Sequence, residues 1–123
     1  MDDFKNKFYE RTYRYALDIL KFTRVLPRDS ASSVLSRQLI RSATSVAANI
    51  IEAKAASSKA DYINFYTYAL KSANESDFWL RLIKDYLNLE NKECDRLAQE
   101  TKEISKILGA SILTMKGKRS IHS

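Results

Sequence analysis

The stretch SSKADYINFYTYALKSANESDFWLRLIKDYL, residues 57–87, decides the fold. Ser58 followed by Asp61 is a capping box with Asp in place of the usual Glu, and it starts a helix. Tyr62, Phe65, Tyr66, Ala69, Leu70, Ala73, Leu80, Ile83 and Leu87 then recur at helical spacing and line one face, enough apolar area to organise a bundle. The helix is expected to end at Tyr86 or Leu87. A second row, Tyr68, Glu75, Trp79, Leu82 and Tyr86, is displaced from the first by roughly a third of a turn. Those side chains either finish the core or form a surface for another protein. Tyr and Trp bury much area while keeping a polar handle, which favours self-association through this row. Stacking of nucleobases is a third use, disfavoured by Glu75 and by the lack of neighbouring bases beyond Lys71.

Three more helices fit around this one. The first is expected from Asp3 to Leu26, stopped by Pro27, which disfavours helical geometry in its predecessor. Its inward side is read as Phe8, Tyr9, Thr12, Tyr13, Ala16, Ile19, Leu20 and Thr23. The second starts near Ser30 to Ser33, with Asp29 or Ser30 as N-cap, and runs through Leu35, Leu39, Ala43, Val46, Ala47 and Ile50 to about Ala56. Its small residues Ser42, Ala43, Ser45, Ala47 and Ala48 mark a position of close helix approach. Asn91 is expected to cap the fourth helix. There Leu97, Thr101, Ile104, Leu108, Ser111 and Met115 repeat at alternating spacings of four and three, a coiled-coil-like seam. Gly109 weakens that helix, or allows close contact. Gly117 to Ser123 read as a flexible basic tail after a domain spanning residues 1–116.

Composition agrees. A chain of 123 residues suits one domain, and two Gly and one Pro leave little turn chemistry for hairpins. The expected class is therefore all-α, an up-and-down antiparallel four-helix bundle. A single cysteine, Cys94, precludes an intramolecular disulfide framework, and the start MDDFKNKF is not a secretory signal. No uncharged run approaches the roughly 20 residues of a membrane span. A cytoplasmic protein without membrane contact is expected.

Net charge is +6, distributed unevenly: +4 over residues 1–41, −1 over 42–114 and +3 over 115–123. Lys7, Arg11, Arg14, Lys21 and Arg28 fall on one stripe of the first helix, interrupted only by Asp18. Such a stripe suits a row of phosphates. Arg37, Arg41, Lys118 and Arg119 are candidate auxiliaries. Enzymatic machinery is harder to find. The one histidine, His122, lies in the tail, no zinc-binding set exists, and glycine-rich phosphate loops are absent. Most carboxylates, such as Glu100 beside Lys102 to Lys106, read as a solvated face. No enzyme activity, metal, cofactor or small-molecule substrate is expected.

The segments IRSATSVAANIIEA, residues 40–53, and SSKADYINFYTYALKSANES, residues 57–76, resemble the signature region of the S23, or 23S rRNA intervening-sequence, protein family. Arg41, Ser42, Ala43, Asn49 and Glu52 match that family's second-helix pattern, and Phe65, Ala69, Leu70, Ser72 and Glu75 its third. Ala53 stands where Gly is usual and Ala47 where Pro is common. Asn49, Glu52 and Ser72 are thus candidate structural motif residues. The resemblance implies a bundle assembled into a small ring, a homopentamer, and a related accessory protein of diversity-generating retroelements is linked to nucleic acid and a reverse transcriptase. Two functions are carried forward. The first is a homo-oligomeric module that binds RNA or DNA phosphates through the first-helix stripe; the other is an adaptor docking an acidic protein partner, such as a reverse transcriptase or another neighbouring enzyme.

Overall fold

The computed structural model describes the backbone of residues 2–122 and the side chains of residues 3–117. Four helices follow one another: α1 (Asp2–Thr23), α2 (Ser30–Lys54), α3 (Lys59–Leu87) and α4 (Lys92–His122). Each boundary has a local cause. Residues 24–26 leave α1 through three turn-type bonds, ending with Leu26 N–H to the Thr23 carbonyl at 3.3 Å, so the helix stops three residues earlier than expected. Asp29 caps α2, accepting the Ser32 amide at 3.0 Å and the Ser32 hydroxyl at 2.9 Å. Ser58 Oγ accepts the Asp61 amide at 3.1 Å to start α3. Asn88, in left-handed geometry with φ 54°, closes α3. Asn91 Oδ1 then accepts the Cys94 amide at 2.9 Å and opens α4. The backbone of α4 stays helical past Gly117 as far as His122.

Side-chain pairs fix the directions. Ser42 meets Ser76 and Ser45 meets Ser72; Asp77 meets Lys102 and Asn74 meets Ser105; Arg11 meets Glu100 and Asp18 meets Arg96. In every pair of helices one residue number rises as its partner's falls, so adjacent helices are antiparallel. The helices pack in a closed square, α1 on α2, α2 on α3, α3 on α4 and α4 on α1, which is the up-and-down bundle. The α2–α3 seam is the most extensive and the α1–α4 seam the thinnest.

Close approach of α2 and α3 follows from their side chains. Small hydroxyl side chains meet across the seam, Ser42 with Ser76 at 2.8 Å and Ser45 with Ser72 at 2.9 Å, and Ala43, Ala69 and Ala73 are fully buried in the same two helices. Larger side chains, including Ile19, Leu39, Val46, Leu80, Ile83, Leu97, Ile104 and Leu108, fill the rest of the core. Two readings of the sequence are corrected here. On α1 the buried face is Phe8, Thr12, Tyr15, Ala16, Ile19 and Phe22, whereas Tyr13 and Leu20 are exposed. The core stripe is rotated toward the basic stripe by roughly half a right angle, because α1 must face α4 as well as α2. Gly109 has nothing within 4 Å of where a Cβ would stand, so close packing does not require its missing side chain.

Candidate nucleic-acid interface

The rotation of α1 brings the cationic stripe to the edge of the α1–α4 seam, where acids of α4 reach it. Arg11 forks onto Glu100, with Nε to Oε2 and Nη2 to Oε1 both 2.7 Å. That bidentate bond raises the Arg11 guanidinium further above its ordinary pKa, against the opposing effect of burial. Glu100 therefore ties α4 to α1, which corrects its reading as part of a solvated face; likewise Lys102 reaches Asp77 of α3 at 3.0 Å. Asp18, the acid within the stripe, accepts from Arg96 at 2.9 Å, and Arg96 also holds Glu93 at 2.7 Å.

The other stripe members differ. Lys7 makes a 3.3 Å pair with Asp3 one turn away, both widely exposed, an arrangement of little energetic weight. Arg14, Lys21, Arg28 and Arg37 are exposed and have no carboxylate partner among the described residues. Arg14 lies over a cleft of about 280 Å³ shared with Arg11, Asp18, Arg96 and Glu100. Lys21 is in the last turn of α1, Arg28 lies in the connection to α2, and Arg37 stands two turns into α2. Exposed Arg24 lies between Lys21 and Arg28 and was missed in the sequence because it falls off the stripe. The side chains of Lys118 and Arg119 lie outside the described residues.

Arg41 belongs to a different cluster. It pairs with Glu75 of α3 and donates from Nη2 to Gln38 at 2.9 Å. Glu75 Oε2 also accepts the Trp79 indole N–H at 2.9 Å. The indole, then the Arg41 guanidinium, hold the Glu75 carboxyl below the usual carboxylate range, opposed by partial burial. Trp79 itself packs half-buried against the core, while Tyr68, Leu82 and Tyr86 stand exposed. Phe78, absent from the predicted row, is exposed beside them and meets Trp79 edge-on with ring centroids 4.9 Å apart.

The motif residues act within the α2–α3 seam. Asn49 donates to the Ser45 carbonyl and to Ser45 Oγ, both at 2.9 Å, and Ser72 donates to the same Ser45 Oγ at 2.9 Å. Asn49 and Ser72 are thus joined through one hydroxyl. Glu52 is exposed. Among the described residues no group of three or more His, Cys, Asp or Glu is placed to hold a metal ion, and no helix is long and apolar enough to cross a membrane.

Comparison with known proteins agrees with this architecture. A family model described as 23S rRNA-intervening sequence protein matches residues 5–110. A similar solved structure is that of a protein with unknown function from the S23 ribosomal protein family of Bacteroides thetaiotaomicron, 33% identical, with a TM-score of 0.78. The match covers 85% of this chain and 97% of that one. No curated protein matches the chain.

Proposed function

We propose that this chain, which belongs to the 23S rRNA-intervening sequence protein family, is a non-enzymatic, homo-oligomeric module that grips RNA or DNA by its phosphates. The observation that carries the proposal is the set Arg14, Lys21, Arg28 and Arg37, exposed and without carboxylate partners among the described residues. Side chains of this kind exchange counterions for phosphates at little cost, whereas Arg11 and Arg41 must first leave Glu100 and Glu75. Contacts to phosphates position a protein without reading sequence, so recognition of shape rather than sequence is expected. Exposed Tyr68, Phe78, Leu82 and Tyr86 support self-association along α3, in the five-membered ring expected of the family. A ring repeats the free cations around its rim and multiplies weak phosphate contacts.

Fluorescence anisotropy with a structured RNA and a DNA duplex, repeated across a salt series, tests the reading. Binding is expected to weaken steeply with salt, and each Arg or Lys to Gln change at these four positions should lower the slope of log K against log salt by about one. Absence of any salt-sensitive binding would remove the proposal. A protein retained on the chain after nuclease treatment, with no nucleic acid carried along, would instead favour the adaptor reading.

A further inference from the structure

Many of the interhelical cations in this bundle are neutralised by a carboxylate: Arg11 by Glu100, Arg41 by Glu75, Lys84 by Asp95, Arg96 by Asp18 and Lys102 by Asp77. One end of the bundle departs from that habit. Where α1 begins, α2 ends and α3 begins, Lys5, Lys54 and Lys59 line a cleft of about 690 Å³, and no carboxylate among the described residues lines it with them. Two of these lysines are held by neutral groups. The half-buried Lys5 places its ammonium 4.8 Å from the centroid of the Tyr62 ring. Lys54 sits 4.8 Å from the centroid of Tyr9 and donates to Asn6 Oδ1 at 3.2 Å. Ring faces orient a cation without cancelling its charge. The ammonium groups are therefore positioned and still available to an anion.

A second cleft, of about 510 Å³, adjoins the first and is lined from α1, α3 and α4, beside the thin α1–α4 seam. Phe4, Tyr66, Ile107 and Ala110 wall it, and Lys5, Tyr62 and Met115 belong to both clefts. Apart from Lys5 and the phenols of Tyr62 and Tyr66, which bond to each other at 3.3 Å, its polar groups are the hydroxyls of Ser111 and Thr114. A nucleobase or sugar entering there would lose hydrogen bonds to water and find few replacements, whereas a hydrocarbon chain loses none. Volumes of this size are ordinary for small-ligand sites.

We infer that the joined clefts form a binding site for a single-chain amphipathic anion, with its acyl or alkyl chain along Phe4, Tyr66, Ile107 and Ala110 and its carboxylate or phosphate head among Lys5, Lys54 and Lys59. The site is separate from the free cations assigned to nucleic acid.

Calorimetric titration of the full chain with dodecanoate and dodecyl phosphate, below their micellar concentrations, tests this. Saturable binding of one molecule per chain to either probe supports the inference, and the preferred probe identifies the head. Lys5→Gln and Lys54→Gln should each weaken it about tenfold, as for loss of one charge-assisted contact. Ala110→Trp, a change at an exposed position that leaves the core intact, should block the chain and abolish binding while circular dichroism stays unchanged. The inference is overturned if neither probe binds, if dodecanol binds as tightly as dodecanoate, if inorganic phosphate competes equally well, or if Ala110→Trp binds like the parent chain.

Discussion

The Tyr15 hydroxyl of α1 lies 2.7 Å from Thr101 Oγ1 of α4, and both side chains are shut away from water. Thr101 spends its own proton on the Leu97 carbonyl at 2.6 Å, so Tyr15 must be the donor between them. Ser76 of α3 is a second neighbour of the Tyr15 hydroxyl; it donates to the Ser72 carbonyl and shares a 2.8 Å hydrogen bond with Ser42 of α2. Each helix thus contributes one hydroxyl to a single polar layer across an otherwise apolar core. No buried side-chain polar atom among the described residues is left unpaired. Such a layer favours one register of the four helices, because a shift of any helix would strand a hydroxyl.

Thr101→Val keeps the shape and removes the acceptor. Because Ser76 offers Tyr15 an alternative, the expected loss is about 1–2 kcal/mol, near the lower end for an unsatisfied buried donor. Tyr15→Phe removes the donor and should cost about 1 kcal/mol. The double variant should lose less than the two singles together by more than about 0.5 kcal/mol, read from urea unfolding of all four proteins. Strict additivity would mean that the pair is not coupled.

Burial pushes the Tyr15 phenol from 10.0 up to about 12, and Tyr66 moves in the same direction through burial and its bond with Tyr62. A pKa raised on folding gives stability that is whole below the unfolded value and lost as pH rises toward the folded one. The bundle should therefore weaken between about pH 10 and pH 12, with Tyr15 accounting for about 2–3 kcal/mol of the loss. Unfolding free energies of Tyr15→Phe across that window should fall less steeply, with the Tyr66 contribution remaining. An unchanged slope would show that Tyr15 ionises as it does in the unfolded chain.

Legibility in the sequence followed the range of each interaction. Asp29, Ser58 and Asn91 were readable as caps because a capping bond spans three residues of one segment. The α3 core row was readable too: Tyr66, Ala69, Ala73, Leu80 and Ile83 are buried, with Tyr62, Phe65, Leu70 and Leu87 packed against them. Periodicity misjudged α1 because Tyr13 and Leu20 are as apolar as the true core residues Tyr15 and Phe22, and only the position of α4 separates them. Candidate-site residues suffered the same limit. That Arg11 and Arg41 hold acids 89 and 34 residues away depends on the register between helices, which no single-helix pattern encodes. Nor does spacing show the lysine-lined cleft, whose residues come from the ends of separate helices.

Ala73 is fully buried in α3, one turn before Ser76, whose hydroxyl meets Ser42 of α2 at the α2–α3 seam. Replacing it with Leu would overpack the core beside that seam and disturb the Ser42–Ser76 bond one turn away. Ala73→Leu should destabilise by about 1–3 kcal/mol or more, the ordinary range for overpacking, whereas Ala48→Leu on the exposed face of α2 should change little. Thermal unfolding followed by circular dichroism separates the two. Equal effects would mean that the seam has slack.

Leu82 and Tyr86 lie one turn apart on the exposed side of α3. If copies of the chain associate along this row, a lysine there is placed unpaired in an apolar interface. Leu82→Lys should then shift the mass from light scattering down to that of the 14.2 kDa monomer while helical content is retained. Phe4→Lys, exposed on α1, serves as the control and should leave the mass unchanged. A parent chain that is already monomeric at micromolar concentration would remove the α3 interface.

Glu100→Gln discriminates between the structural and the ligand-binding use of Arg11. Both partners are partly exposed, with side-chain exposures of 39% for Arg11 and 21% for Glu100, so the pair should contribute less than about 1 kcal/mol to stability. Removing the carboxylate charge frees the guanidinium beside Arg14 in the same cleft. If phosphates bind along α1, Glu100→Gln should tighten binding to RNA and steepen the salt dependence by about one unit of slope, since one more cation can displace a counterion. Arg11→Gln should lower stability by a similar amount but leave binding near the parent value, because in the parent chain that charge is already engaged. Binding unchanged by Glu100→Gln would place the nucleic acid away from the α1–α4 seam, at the Lys21, Arg24 and Arg28 end of the bundle.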